Sequence, residues 1–169
     1  MQGSLPKLIS WALLAALMAA SLTHAAPALA GDPSPFDKLA GRWIGEGRFG
    51  IRDGGTEAVK CRVTYILAGG SGDELKQTIR CAAPSGSIEV QSLVTHAAGK
   101  LSGTWKELSR DMSGELTGEV TPKGYRVTIK GSALSANMTI ILVGDTKQVV
   151  EIQFLDSALI GLTLILQKG

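Results

Sequence analysis

The chain has 169 residues, with 17 Lys and Arg against 15 Asp and Glu, for a formal net charge of +2 at pH 7. This near balance gives no reason to expect nucleic acid or an anionic membrane surface as a partner. The length suits a single domain with one core, in which Gly is abundant at 21 residues and aromatic residues make up only 5%.

The amino terminus has the order of a secretory signal peptide. Lys7 precedes an apolar run from Leu8 to about Leu22, and small residues follow at Ala25, Ala28 and Ala30. A basic start, a hydrophobic centre and an Ala-x-Ala end predict cleavage after Ala30, or else after Ala25. The alternative is an uncleaved membrane anchor, for which the apolar run is short.

The segments on either side of this site define the predicted domains. We expect residues 1–30 to be the signal peptide, residues 31–40 to be a linker that caps the fold, and residues 41–169 to form one domain. The mature protein is then periplasmic or secreted and is not an integral membrane protein.

From Gly41 onward the chain alternates apolar and polar residues in short runs. Gly, Asp, Pro and Ser interrupt the runs at short intervals, and no helical stripe of three turns occurs. The pattern predicts an all-β fold, an antiparallel up-and-down meander closed into a barrel of about 8–10 strands, because closure removes exposed strand edges.

Two cysteines, Cys61 and Cys81, lie on consecutive predicted strands. Pairing Leu67 with Leu75 across the hairpin brings Tyr65 opposite Gln77 and Cys61 opposite Cys81. Directly opposed residues are within reach of a disulfide, which an oxidising compartment would allow to form. Two free buried thiols are the alternative.

The following hairpins extend this register. A two-residue turn at Ala98 and Gly99 sets His96 against Leu101 and Ser92 against Trp105. The same pairing, carried around the fold, predicts one transverse belt of inward side chains: Trp43, Tyr65, Gln77, Ser92, Trp105, Leu116 and Ile129. Apolar walls with a polar edge are typical of ligand sites.

The last predicted strand is apolar on both faces. Ile160, Leu162, Leu164 and Leu166 are predicted to face inward, which leaves Leu159 and Ile165 on the outside. A covered outer face would be explained by a partner chain, and hence by a homo-oligomer that uses the last strand.

The opening strand resembles a known group of small barrels. Gly41-x-Trp43 is similar to the lipocalin signature, and the extended Gly41-x-Trp43-x-Gly45-x-Gly47 resembles nitrobindin-type barrels, both of which are calycins. The resemblance implies a barrel plugged at one end by Trp43 and a small apolar ligand. Nitrobindin-like members carry haem on a histidine near the carboxyl terminus, but beyond the predicted leader this chain has only His96, so we predict no cofactor and no metal.

Catalytic motifs are weak. No Gly-rich phosphate loop, His-Glu-x-x-His helix or Cys-x-x-Cys pair occurs. By residue type, Ser92, His96 and Glu107 could form a Ser-His-acid catalytic triad. Ser92 and His96 lie about 13 Å apart along one predicted strand, however, which is too far for a hydrogen bond. We therefore predict a protein that is not an enzyme. Glu107, the inward carboxylate, would bind a cationic ligand group or form a salt bridge.

Lys60, Arg62, Lys76 and Arg80 are predicted to share the outer face of strands two and three. This face is either solvated or an anionic docking surface.

Two functions follow from these patterns. The first is an exported, non-enzymatic barrel that binds a small hydrophobic or amphipathic molecule, such as a lipid, through Trp43, Tyr65, Gln77, Ser92, Trp105 and Glu107. The second is a secreted or envelope interaction protein, such as an inhibitor or assembly factor, that uses a filled barrel as its scaffold. An interior of about 300 Å³ or more would favour the first.

Overall fold

A computed structural model of the protein describes residues 33–169 and contains ten β-strands. The predicted signal peptide and its predicted cleavage sites lie outside these residues. The strands are β1 Gly41–Ile51, β2 Gly55–Ala68, β3 Glu74–Ala83, β4 Gly86–Ala97, β5 Lys100–Glu107, β6 Met112–Thr121, β7 Gly124–Gly131, β8 Ser135–Val143, β9 Lys147–Phe154 and β10 Leu159–Lys168.

Each strand pairs antiparallel with its neighbours in sequence, and β1 pairs with β10 to close the barrel. Every strand therefore has a partner on both sides, which removes the exposed edges of an open sheet. The predicted all-β meander and its closure are confirmed. Among residues 33–169 no helix is long and apolar enough to cross a membrane.

The predicted pairing of the second and third strands is confirmed. Tyr65 lies opposite Gln77, and Cys61 lies opposite Cys81, with which it forms a disulfide. Ser92 on β4 lies between Gln77 on β3 and Trp105 on β5, as the short hairpins predict. Inward side chains of β2 to β5 thus share one register.

The predicted belt is wrong at both of its ends. Trp43 lies opposite Val63, and Gly41 lies opposite Tyr65. The β1–β2 register is therefore displaced by two residues from the predicted pairing. Leu116 lies opposite Gly103, and Gly114 takes the place beside Trp105. The β5–β6 connection spans residues 108–111, one residue earlier than the predicted pairing requires, so that Glu107 pairs with Met112 and Trp105 with Gly114.

The start of β10 also differs from the prediction. The β1–β10 register shifts at Gly50 and Ile51, so that Ile51 pairs with Leu159 and skips Ile160. This bulge turns Ile160 outward, where it is 52% exposed, and leaves Leu159 partly buried. Ile160 was predicted inward and Leu159 outward, and the bulge reverses both. Ile165 faces outward as predicted.

Residues 34–40 close the end of the barrel at which β1 begins. Phe36 and Leu39 are buried, and the ring of Phe36 stacks on Tyr125 with centroids 6.0 Å apart. The indole nitrogen of Trp43 donates a hydrogen bond to the Leu39 carbonyl oxygen at 2.7 Å. We call residues 34–40 the cap, and the end that it covers the closed end.

Glycines on the inner face of β1 allow close packing of β10. A Cβ atom added at Gly45 would overlap the backbone oxygen of Ile165, and one added at Gly47 would overlap that of Thr163. These positions therefore require Gly because of the approach of a neighbouring backbone.

Candidate functional site

The inward side chains of the barrel differ in exposure. Most of those toward the closed end are buried and join the cap in one core, although Leu67, Val120 and Leu142 are only partly buried. Toward the opposite end, which we call the open end, the buried inward side chains are Val59, Cys81, Trp105, Glu107 and Ala136. Other inward apolar side chains of this half remain partly exposed down to the middle of the strands. They include Phe49, Ile79, Ile88, Val90, Met112, Ile129, Met138, Ile152, Phe154 and Leu162. Most of these side chains also pack against the buried core. We call this partly exposed, apolar inner face of the open half the recess.

One polar pair lies halfway along the wall of this recess. Ser92 donates a hydrogen bond from Oγ to Oε1 of Gln77, which faces it on β3, at 2.8 Å. Both side chains are half-buried, and apolar Ile79 and Val90 follow them toward the open end. An uncharged hydrogen-bonding pair among apolar walls is the composition of many small-molecule sites.

A second polar pair crosses the barrel beneath the first. The hydroxyl of Tyr65 donates a hydrogen bond to Oε1 of Gln148 at 3.2 Å, and Gln148 is 0% exposed. Its Nε2 atom has no hydrogen-bond partner within residues 33–169. Burial raises the pKa of Tyr65, and side-chain hydrogen bonding with Gln148 and Gln77 only partly offsets this increase. The phenol is therefore neutral at physiological pH.

Gln148 was not among the predicted site residues. It lies two residues before Val150, so strand periodicity alone would have turned it inward. Its polar side chain gave no apolar signal, which is why the pattern missed it.

Trp43 lies at the closed end, away from the recess. It is fully buried, its indole nitrogen is bonded to Leu39, and the Lys168 ammonium lies 5.4 Å from the ring centroid. Its contacts are those of a side chain that secures the cap.

Trp105 lies in the wall of the open half. It is buried, and its indole nitrogen donates a hydrogen bond to the Lys130 carbonyl oxygen at 3.3 Å. A Cβ atom added at Gly131 would lie 2.6 Å from the Trp105 ring, so the ring rests on that glycine. Since Ser92 pairs with Trp105 across β4 and β5, the indole is adjacent to the polar pair.

Glu107 organises the β5–β6 connection. Its carboxylate accepts hydrogen bonds from the backbone N–H groups of Arg110 at 2.6 Å, Ser109 at 3.1 Å and Glu89 at 3.3 Å. Burial raises the pKa of Glu107, but these donors together outweigh it and hold the pKa below its usual range. The carboxylate is ionised and its lone pairs are engaged by the backbone.

The three residues considered as a catalytic triad, Ser92, His96 and Glu107, have separate hydrogen-bond partners. Nδ1 of His96 lies 3.3 Å from Asp73, and its Nε2 accepts a hydrogen bond from the Gly99 N–H at 3.0 Å. Ser92 donates to Gln77, and Glu107 accepts from backbone groups. Neither imidazole nitrogen is directed at the hydroxyl of Ser92.

The outer face of β2 and β3 carries the predicted basic side chains. Lys60, Arg62, Lys76 and Arg80 are all exposed, and Arg80 forms two hydrogen bonds of 2.8 Å with Glu89. Two surface depressions, of about 610 and 300 Å³, lie on opposite sides of Arg48 and are lined mostly by outward side chains. Their walls mix both signs of charge, including Glu46, Lys60 and Glu151.

Within residues 33–169, no group of three or more His, Cys, Asp or Glu side chains is arranged to hold a metal ion. No family model and no curated protein matches this chain. The architecture is nevertheless defined, and the closed antiparallel barrel of ten strands is consistent with a calycin-like barrel.

Proposed function

We propose that this protein is an exported, non-enzymatic barrel that binds a small hydrophobic or amphipathic molecule in the open half of its interior. The partial exposure of inward apolar side chains such as Ile79 and Val90, beside a polar pair, carries this proposal, because ligand sites combine apolar walls with a few hydrogen-bonding groups. The Gln77–Ser92 pair supplies the hydrogen bonds that orient a ligand in such a site.

The two ends of the barrel suit different tasks. The cap, Trp43 and the buried core stabilise the closed end, while the open end gives access to the recess. The Cys61–Cys81 disulfide fits an oxidising compartment such as the periplasm or the extracellular space. Export of the chain and removal of residues 1–30 would place the barrel there.

A direct test is extraction of the protein after it has been exported by its host. Native mass spectrometry should detect a bound small molecule whose removal leaves the fold intact. Titration with uncharged apolar probes should change the fluorescence of Trp105, and Trp105→Phe should remove that signal. Absence of a bound molecule and of any fluorescence change would contradict the proposal.

The second candidate is an interaction protein that uses the barrel as a scaffold. Exposed apolar side chains at the open end favour it, since Leu108 is 44% exposed and Leu155 is 45% exposed in the loops. Substitution of both with Ser should then abolish capture of a protein partner. In the ligand-binding account, the same substitutions leave probe affinity within about twofold.

A further inference from the structure

Four polar side chains form a ladder across the interior, and their hydrogen bonds are unevenly distributed. Ser92 donates to the side-chain oxygen of Gln77, and Tyr65 donates to that of Gln148. Both amide oxygens are therefore occupied, whereas Nε2 of Gln148 is buried without a partner among residues 33–169. The amide N–H donors of these four side chains are therefore not all used in hydrogen bonds among them.

Gln77 is the side chain whose amide N–H groups can reach the recess. Gln77 lies opposite Tyr65 on β2 and Ser92 on β4, and its side-chain oxygen accepts the Ser92 hydrogen bond. An amide NH₂ group carries two protons, and the hydrogen bond from Ser92 uses neither of them. Because Gln77 is only half-buried, its N–H groups are available to an acceptor in the recess.

The charges on the inner face of the open half are negative. Glu57 and Glu107 occupy inward positions near the open end, where Glu57 accepts a hydrogen bond from the Ser85 N–H at 3.0 Å. Within residues 33–169, no inward strand position of this half carries Lys or Arg. Arg110 lies 4.0 Å from Glu107, but its side chain is 53% exposed and belongs to the loop.

Building on the proposed function, we infer that the ligand is an uncharged amphiphile whose hydroxyl or carbonyl oxygen accepts a hydrogen bond from Gln77. An anionic head group would lose its hydration without meeting a cationic partner, and Glu57 and Glu107 would repel it. A neutral oxygen avoids both costs and uses the spare donor. The recess thus selects against fatty-acid carboxylates in favour of alcohols, esters or ketones of similar size.

The test compares three ligands that share one alkyl chain: decanol, methyl decanoate and decanoate. Each displaces the uncharged probe N-phenyl-1-naphthylamine at pH 7.4. We expect the alcohol and the ester to bind at least about tenfold more tightly than the carboxylate, because a charge buried without a partner is costly. The difference should shrink at about pH 5, as more of the carboxyl group becomes protonated.

Variants connect this preference to Gln77. Gln77→Leu should weaken decanol binding about tenfold relative to any change in probe affinity, as expected when a buried hydrogen bond is lost. Ser92→Ala, which frees the Gln77 oxygen, should weaken it less and provides a second variant should the first fold poorly. Gln91→Leu is the matched control, because Gln91 directly precedes Ser92 but lies on the outer face of β4.

The outcomes separate the inference from the proposed function. Equal or tighter binding of decanoate at pH 7.4 would overturn the preference for uncharged ligands while leaving an interior binding site in place. Failure of the probe and all three ligands to bind would instead overturn the proposed function. Equal loss of decanol binding in Gln91→Leu and Gln77→Leu would also overturn the inference.

Discussion

The Tyr65 hydroxyl and the Gln148 side chain meet across the barrel interior at 3.2 Å. Tyr65 belongs to β2 and Gln148 to β9, which are separated by β1 and β10 around the barrel. The hydrogen bond therefore ties together two strands that share no backbone pairing. Both residues lie in the buried core near the closed end, where β2 ends and β9 begins.

This pair is expected to behave as one unit in stability measurements. Tyr65→Phe leaves both ends of the Gln148 amide unpaired, and Gln148→Leu leaves the Tyr65 hydroxyl buried without its acceptor, so each should cost about 1–3 kcal/mol. The double variant should be more stable than either single variant, because no orphaned partner remains. Urea denaturation measures all three. Gln153→Leu, on the outer face of β9, should change stability by less than about 0.5 kcal/mol. A double variant whose loss of unfolding free energy equals the sum of the two single losses would contradict the coupling between Tyr65 and Gln148.

The Cys61–Cys81 disulfide is expected to contribute substantially to stability. The two residues are separated by 20 positions in sequence, and the Cys61→Ala/Cys81→Ala variant should lose about 3 kcal/mol of unfolding free energy. Reduction of the unmodified protein should give a similar loss. Thermal melting with and without reductant measures this. An unchanged melting temperature in both cases would show that the cross-link does not constrain the unfolded chain.

Alkaline pH should unfold the protein through its two tyrosines. Burial, and then the nearby Asp37, raise the pKa of Tyr125 to about 12, and burial also raises the pKa of Tyr65. In the unfolded chain both pKa values are about 10, so the stabilising contribution is fully present below pH 10 and is lost as the pH rises toward 12.

Phenolate absorbance near 295 nm should therefore appear together with the loss of the far-ultraviolet strand signal. Tyr125→Phe should remove part of the pH dependence and leave the contribution from Tyr65. Complete phenolate formation at about pH 10 with an intact strand signal would contradict the burial of both hydroxyl groups.

Glycines at close strand crossings should be intolerant of a methyl group. Gly45→Ala would drive a Cβ atom into the Ile165 carbonyl oxygen, and we expect a loss of about 1–3 kcal/mol or more. Gly70→Ala is the matched control, because a Cβ atom there has no neighbour within 4 Å. Chemical denaturation compares the two variants. Equal unfolding free energies for Gly45→Ala and Gly70→Ala would show that β10 can move away from β1 without loss of stability.

The sequence was most informative where turns are short and both hairpin faces are distinct. Ala98 and Gly99 form a two-residue turn with φ of 49° and 79°, and this fixes the β4–β5 register that the pattern predicted. Two cysteines in compatible positions fixed the β2–β3 register independently. Both features act over a few residues, so they are readable without the tertiary structure.

The sequence was less informative where register depends on contacts that form only in the folded chain. The loop between β5 and β6 is held by Glu107, whose acceptor role depends on backbone groups that converge after folding. The bulge at Ile160 accompanies a contact between Arg52 and Ala158, whose carbonyl oxygen accepts a hydrogen bond from the Arg52 N–H at 2.7 Å. Alternation alone could not place either irregularity.

The most direct measurement of an accessible interior is the affinity of N-phenyl-1-naphthylamine for Val90→Phe compared with Gln91→Phe. Val90 lines the recess and is only partly buried, whereas Gln91 is exposed on the outer face of the same strand. We expect Val90→Phe to fold and to bind the probe at least about tenfold more weakly, because the added ring occupies ligand space. Gln91→Phe should retain the unmodified affinity. Unchanged binding by Val90→Phe would contradict an interior site in the open half of the barrel.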